Sequence, residues 1–382
     1  MKILVNSIID LKKTAPNRLH HFIRYLSRKH RIRVISINDW WRAELLDTDI
    51  YKNNFNDVLD GIQIDYITGE RISPFKQEFS SPRLINLEGI DSDIVLNYNT
   101  LISGYHTAKS LGLPMVYDIA DDLPGMIATS PQIPRILRPV GKYTGNRMLR
   151  RSLRIASKIT GTSKTIQRSC SIPDSKFELL PNGVDTALFR REDNDLRNEL
   201  GLEDNFVMGY VGVLREWIDL DMAYQAIKRL ENAMLLVVGE EGRFKKTKED
   251  AYEMGIENKV VFTGTVPYHD VPKYICAMDA CLIPFKRNAV TENASPLKLL
   301  EYMACEKPVI STRLKGIAEV AGDIVLYADS AEEMISHAKM LESSDAGKEL
   351  GNKGRQLVMD RYGWDDIARK LDIVLEGVFD SN

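Results

Sequence analysis

Residues Ser295 to Thr312 read SPLKLLEYMACEKPVIST, joining a helix with a sharp start to a short buried strand with no residue to spare. Ser295 suits an N-cap. Pro296 suits the first helical position, where no amide donor is needed, and Leu297, Leu300 and Met303 with Ala304 form one apolar stripe. The strand-like run Ala280 to Phe285 and a short loop come before it. The helix start, with its unbonded amides and positive dipole end, therefore falls where a doubly wound sheet binds phosphate. Lys298 adds a full positive charge one turn in. Glu301 follows at i+3, so one helix offers a cation for an anion and a carboxylate for a pair of sugar hydroxyls.

Working outward, Glu301 to Ile310, EYMACEKPVI, resembles the "EAMACGKPVIAT"-like run of the retaining nucleotide-sugar glycosyltransferases of the large family 4. Those enzymes have the GT-B fold, an α/β architecture of two Rossmann-like domains facing each other across a cleft. In that family a first glutamate stands eight residues before the second. Here that place is Asn293, with Glu292 one position off register, and the SPLKLLEYMA stretch is similar to a branch carrying SPLK. Gly209 to Trp217, GYVGVLREW, resembles the family's "GYVGRL…KG" turn, whose arginine and lysine grip the donor diphosphate. Val213 takes the arginine place and Trp217-Ile218-Asp219 replaces the lysine-glycine region, so Arg215 and Lys298 are the candidates for the displaced charge. Phe262 to Pro267, FTGTVP, is similar to the "FTGxV" strand end that lies against the nucleotide base, and Gly264 lets a ligand approach closely.

The first half carries the same resemblance more loosely. Asp118 to Pro124, DIADDLP, resembles a "YD-hydrophobic-HD" segment with Ala120 where a histidine often stands, and the loop Ile9 to Lys13 lacks the paired glycines common after the first strand. Three carboxylates within five residues repel one another, so a partner or an acceptor hydroxyl would settle them, unless the segment is only a capped turn. Taken together, the resemblance implies Lys298, Arg215 and Asp121 as catalytic candidates. It implies a donor site of Glu301, Ser295, Pro296, Leu297, Asn293, Gly212, Gly264, Thr265 and Val266, and acceptor-side carboxylates Asp118 and Asp122.

A chain of 382 residues, 44% hydrophobic and 27% charged, suggests two domains. Strand-like runs alternate with helical ones throughout: Lys2 to Ser7, Ile32 to Ile37, Ile62 to Ile67, Ile94 to Tyr98, Met115 to Ile119 and Phe177 to Leu180, then Phe206 to Val213, Met234 to Val238, Val260 to Thr263, Cys281 to Phe285, Val309 to Ser311 and Ile324 to Tyr327. This is the pattern of parallel sheets with helical crossovers. Pro181 to Asp185, PNGVD, resembles the family's interdomain hinge. The expected domains are 1–185, the acceptor side, and 186–363, the donor side, with the helix 364–380 returning to the first.

The N-terminus enters a strand directly and no run is long enough to span a bilayer, so a cytoplasmic protein is expected. Cys170, Cys276, Cys281 and Cys305 show no metal spacing. Asp-x-Asp occurs at Asp47/Asp49, Asp91/Asp93, Asp193/Asp195 and Asp219/Asp221, too often to mark one metal site, and no required metal is expected. Neither a Walker loop nor a complete G-x-G-x-x-G is present.

Charge is uneven. Through residue 178 there are 26 Lys and Arg against 18 Asp and Glu, a net +8, leaving 25 against 36, a net −11, for the rest. Residues 131–158 hold eight cations and no acid, which fits anionic lipid, a phosphate-bearing acceptor or a solvated face. On the lipid reading, association is peripheral, with Leu149 and Leu153 entering the interface. No nucleic-acid partner is expected. The resemblance implies transfer of a sugar, with retention, from a nucleotide-diphosphate sugar of UDP or GDP type to a hydroxyl acceptor, lipid-linked on the membrane reading, in glycan or cell-envelope synthesis, with no other cofactor. The alternatives are a non-catalytic sugar-nucleotide-binding subunit and a GT-B epimerase of the nucleotide sugar.

Overall fold

The computed structural model describes residues 1–39, 55–129, 133–215, 217–239, 246–288 and 290–381. Asp47, Asp49, Pro131 and Glu216 lie outside the described residues. The chain divides into two compact units, Met1–Pro181 with Trp364–Asn382, and Asn182–Gly363. The division falls at Pro181 because the segment beyond it is tied to the second unit: Asn182 Nδ2 donates to the Ser295 carbonyl at 2.7 Å and the Val184 amide to the Tyr362 carbonyl at 2.8 Å. The Pro181 carbonyl instead accepts Arg18 Nη1 of the first unit at 2.7 Å.

The first unit is a seven-stranded parallel sheet in the order β3-β2-β1-β4-β5-β6-β7, with β1 Lys2–Ser7, β2 Arg31–Ser36, β3 Gln63–Tyr66, β4 Ile94–Tyr98, β5 Met115–Ile119, β6 Lys158–Gly161 and β7 Phe177–Leu179. Its helices are α1 Arg18–Leu26, α2 Asn56–Leu59, α3 Pro74–Leu84, α4 Ser103–Leu111, α5 Leu123–Thr129, α6 Arg138–Ile155 and α7 Lys164–Ser169. Strands β1, β4 and β5 are buried along their whole length or nearly so, as strands covered by helices on both faces must be. The sequence reading omits β6. Its four residues, KITG, hold a single bulky apolar side chain and follow directly on the basic helix.

The second unit is a six-stranded parallel sheet in the order β10-β9-β8-β11-β12-β13: β8 Phe206–Val211, β9 Ala233–Val238, β10 Val260–Gly264, β11 Ala280–Ile283, β12 Val309–Ser311 and β13 Leu326–Tyr327. Helices α8 Leu196–Glu199, α9 Asp221–Arg229, α10 Lys246–Glu253, α11 Val271–Cys276, α12 Leu297–Ala304, α13 Lys315–Ala321, α14 Ala331–Ser343 and α15 Ala346–Arg361 accompany it. Three strands are shorter than the sequence suggests. Gly212 turns the chain at φ 129 after β8, Pro284 offers no amide after Ile283, and Gly322–Ile324 is a 3₁₀ turn ahead of β13.

The terminal helix α16, Trp364–Asp380, belongs to the first unit. It buries Ile367, Leu371, Leu375 and Val378. Asp372 fixes it to the chain just after α1, accepting from Lys29 Nζ at 2.8 Å and lying 2.6 Å from His30 Nε2. His30, Asp372 and Glu376 bring three ligand-type atoms together, but the Lys29 ammonium already neutralises Asp372 there.

Candidate active site

Strand order reverses between β8 and β11 in the second unit: the chain moves from β8 toward β9 on one side and from β11 toward β12 on the other. Such a reversal opens a crevice beyond the carboxyl ends of the two strands. The loops that enter it are the Gly212 turn after β8 and the segment leading into α12 after β11.

Three glycines shape the floor. Gly212, Gly239 and Gly264 end β8, β9 and β10 with φ 129, 130 and 71, conformations that L side chains rarely adopt. The Gly212 amide donates to the Val238 carbonyl and the Gly239 amide to the Gly264 carbonyl, both at 2.8 Å. A Cβ on Gly239 would meet the Gly212 carbonyl oxygen at 2.4 Å, and one on Gly212 would lie 2.9 Å from Lys298 Nζ.

Helix α12 begins one residue later than the sequence reading places it. Pro296 is the cap residue, at φ −70 and ψ 134, and no side chain caps the helix. Ser295 is not the N-cap, because an N-cap carbonyl accepts the first helical amide and the Ser295 carbonyl is held by Asn182. The Leu299 amide bonds the Pro296 carbonyl instead, at 3.1 Å. At its other end Arg355 Nη1 donates to the Ala304 carbonyl at 2.7 Å, a cation placed at the negative end of the helix dipole.

Within this frame Lys298 Nζ donates to Tyr210 Oη at 2.8 Å, and Tyr210 Oη donates to the Val213 carbonyl at 3.1 Å. The ammonium also sits 4.2 Å from the Tyr210 ring centroid and 5.5 Å from that of Phe285. Burial pulls Lys298 down to about 7, partly offset by the Glu301 carboxylate. Burial likewise pushes Glu301 up to about 7, against the lowering effects of Lys298 and of Tyr268 Oη, which donates to it at 3.4 Å. Both side chains keep some solvent exposure, so the pair is hemmed in by protein yet open to a ligand. Each charge is poorly solvated and lacks a strong partner, and a bound anion would restore the ammonium.

The remaining donor candidates lie on the loops that follow β8, β10 and β11. Asn293 ends the 3₁₀ turn Thr291–Asn293. Glu292, the off-register carboxylate, is turned away: it meets Arg287 Nε at 3.4 Å and accepts the Lys315 amide at 3.3 Å. Thr265 and Val266 follow β10 and are half-buried, and Arg215 is exposed after β8, close enough that its charge acts on Tyr210. The sequence reading missed Tyr210, Tyr302, Asn182 and Gly316. Tyr302 Oη accepts the Val211 amide at 2.8 Å, bolting α12 to the end of β8. A Cβ on Gly316 would meet the Ala294 carbonyl oxygen at 2.2 Å, so only glycine lets α13 approach that loop. Both tyrosines stand inside quoted motifs, but a phenol that supports a lysine leaves no pattern of its own.

The three carboxylates of the first unit separate by role. Asp118 is fully buried and bidentate to Arg18, with Nε and Nη2 each at 2.8 Å, and also accepts Thr160 Oγ1. Its oxygens are occupied, which corrects its reading as an acceptor contact. Asp122 caps the start of α5, accepting the Gly125 amide at 3.0 Å. Asp121 alone is exposed.

Residues 192–357 match the family described as "Glycosyl transferases group 1", a segment lying wholly within the second unit. The chain is 23% identical over 264 residues, 67% of its length, to the putative teichuronic acid biosynthesis glycosyltransferase TuaH of Bacillus subtilis, and spans 65% of that protein. It is 28% identical over 219 residues, 54% of its length, to the GDP-mannose-dependent alpha-(1-6)-phosphatidylinositol monomannoside mannosyltransferase of Mycobacterium tuberculosis, spanning 57% of it. Among solved structures, Anabaena HepE in complex with UDP-glucose superposes with a TM-score of 0.74 at 19% identity, covering 99% of this chain and 100% of that one. That likeness is one of fold: two Rossmann-like domains of the GT-B kind.

Proposed function

We propose that this chain is a glycosyltransferase that moves a sugar from a nucleotide-diphosphate sugar to a hydroxyl acceptor, with retention at the anomeric carbon. The observation that carries the proposal is Lys298 Nζ, fixed by Tyr210 beside the Gly212 turn where strand order reverses, with Glu301 one turn further along α12. The second unit holds the donor. Its diphosphate lies against Gly212, Lys298 and the start of α12, its ribose hydroxyls donate to Glu301, and its base rests against Gly264, Thr265 and Val266. As the glycosidic bond breaks, negative charge gathers on the departing diphosphate, where the Lys298 ammonium, the amides at the start of α12 and the Arg215 guanidinium stabilise it. Preorganised charge in a poorly hydrated site acts most strongly where charge develops.

The first unit presents the acceptor, with Asp121 as the carboxylate that orients its hydroxyl. The relatives named above for teichuronic acid and phosphatidylinositol mannoside synthesis support an acceptor in cell-envelope glycan or glycolipid assembly. The test is product analysis after incubation with a panel of UDP- and GDP-sugars and hydroxyl acceptors. Glycosylated acceptor is the expected result. Isomerised donor would replace the proposal with an epimerase, and binding without turnover would replace it with a binding subunit.

A further inference from the structure

One patch of the first unit exposes large apolar side chains and cations together. The 3₁₀ turn Arg135–Leu137 and the first turns of α6 expose Ile136 (83%), Leu137 (53%), Val140 (62%) and Tyr143 (63%). These are four of the ten exposed large hydrophobic residues among the described residues, and they fall within eight consecutive positions. Helix α6 is docked by its opposite face. A Cβ on Gly141 would lie 2.8 Å from Ile127 Cγ2, one on Gly145 3.3 Å from Ile127 Cδ1, and Ser152 Oγ donates to the Leu101 carbonyl at 3.1 Å. Leu149, which the sequence reading turns toward lipid, is buried on this inner face.

The outer face has a definite order. Val140, Tyr143, Arg147, Arg150 and Arg154 follow one another at helical spacing, so a single stripe is apolar at its start and cationic over the rest of its length. Among the described residues none of these arginines, nor Arg135 or Lys142 beside them, is ion-paired with a carboxylate. A solvated face has no use for Ile136, Leu137 and Val140. A soluble polyanion would engage the cations and leave those side chains in water. An anionic phospholipid surface engages both, because apolar side chains enter the boundary between headgroups and acyl chains while arginines meet the phosphates.

We propose that this face of 135–154 is a docking surface for anionic phospholipid, with Ile136, Leu137, Val140 and Tyr143 inserted and Arg147, Arg150 and Arg154 lying along the headgroups. The partner is the lipid itself, so the proposal stands apart from the sugar chemistry and is tested without donor. The full chain is floated with vesicles of phosphatidylcholine alone or enriched in phosphatidylglycerol, at low and high salt. Binding only to the anionic vesicles is expected, weakening as salt rises. Replacing Arg147, Arg150 and Arg154 together with Gln lowers partitioning by about two orders of magnitude, at about fivefold per cation. Ile136→Ser with Val140→Ser lowers it about tenfold and removes the quenching, by bromine-labelled acyl chains, of a Tyr143→Trp reporter. All these sites are exposed, so the melting temperature stays constant and reports intact folding. Equal binding to neutral vesicles, no flotation, or flotation indifferent to the serine pair would overturn the proposal. So would capture by heparin without capture by vesicles, which would mark a site for soluble polyanions.

Discussion

Each unit places a cation and a carboxylate near the carboxyl edge of its sheet, and the two pairs are built to opposite ends. In the first unit Arg18 and Asp118 are sealed from water and satisfy each other through two bonds of 2.8 Å. In the second, Lys298 is held by a phenol and Glu301 receives a long 3.4 Å bond from another, and burial pulls each toward the neutral form. A pair that completes itself is structure. A pair that leaves both charges wanting is a place for a ligand.

The largest expected effect comes from breaking the closed pair. Arg18→Met leaves Asp118 buried without its cation, and removing one partner of such a pair destabilises by about 3–5 kcal/mol. Denaturant unfolding of the full chain should show a loss of that size in the first unit. Lys298→Met should leave unfolding unchanged or slightly improved, since it removes a poorly solvated ammonium. Loss of stability in both variants would erase the distinction drawn between the pairs.

Activity should reverse that order. Lys298→Ala or Glu301→Ala lowers kcat/KM for the donor by about tenfold to a thousandfold, the range for a charged contact to a developing or bidentate ligand group. The pH dependence of donor affinity sharpens the point. A diphosphate raises Lys298 from about 7, so binding takes up a proton and affinity falls as pH rises above 7. Glu301 must ionise to accept hydroxyls, so affinity also falls below 7. The profile, read by titration calorimetry, is a bell. Glu301→Gln leaves only the alkaline fall, moved down because no carboxylate supports the ammonium. Lys298→Gln leaves only the acid fall, moved up. A flat profile in the wild-type chain would show that neither group titrates against the ligand.

How much of this was readable beforehand follows the same line. The alternation of strands and helices, and the placement of Lys298 and Glu301 on one short helix, follow from periodicity and spacing that lie within a few residues of one another. Asp118 reads as an acceptor contact in the sequence because its partner Arg18 is a hundred positions away, and nothing local marks a carboxylate that a distant guanidinium will occupy. Tyr210 and Gly316 escaped for the same reason. Their importance lies in what folding brings to them, Nζ of Lys298 in one case and the Ala294 carbonyl in the other.

A smaller effect is expected at Gly212. Ala there must hold φ 129, a conformation that costs on the order of 1–3 kcal/mol for a non-glycine residue, and its methyl would stand 2.9 Å from Lys298 Nζ. The lysine end can swing away, so donor affinity should suffer more than the contact alone suggests, while the first unit keeps its stability. Measuring unfolding and donor affinity on the same variant separates the two losses. An unchanged affinity would detach the Gly212 turn from the proposed diphosphate site.

The smallest effect is the most discriminating about how α12 begins. If Ser295 capped the helix, Ser295→Ala would remove a side-chain acceptor and cost about 1 kcal/mol. Here Pro296 occupies the cap position and no side chain closes the turn, so the same change should cost no more than a few tenths. The restraint lies instead in the Ser295 carbonyl, which Asn182 Nδ2 holds at 2.7 Å, and Asn182→Ala should cost about 1 kcal/mol, the usual net worth of such a bond. Because Asn182 is the first residue of the second unit, its loss also loosens the loop that aims α12 at the ligand, so donor affinity should fall with it while Ser295→Ala leaves affinity intact. Equal losses at the two positions would restore the serine cap and move the start of the helix back by one residue.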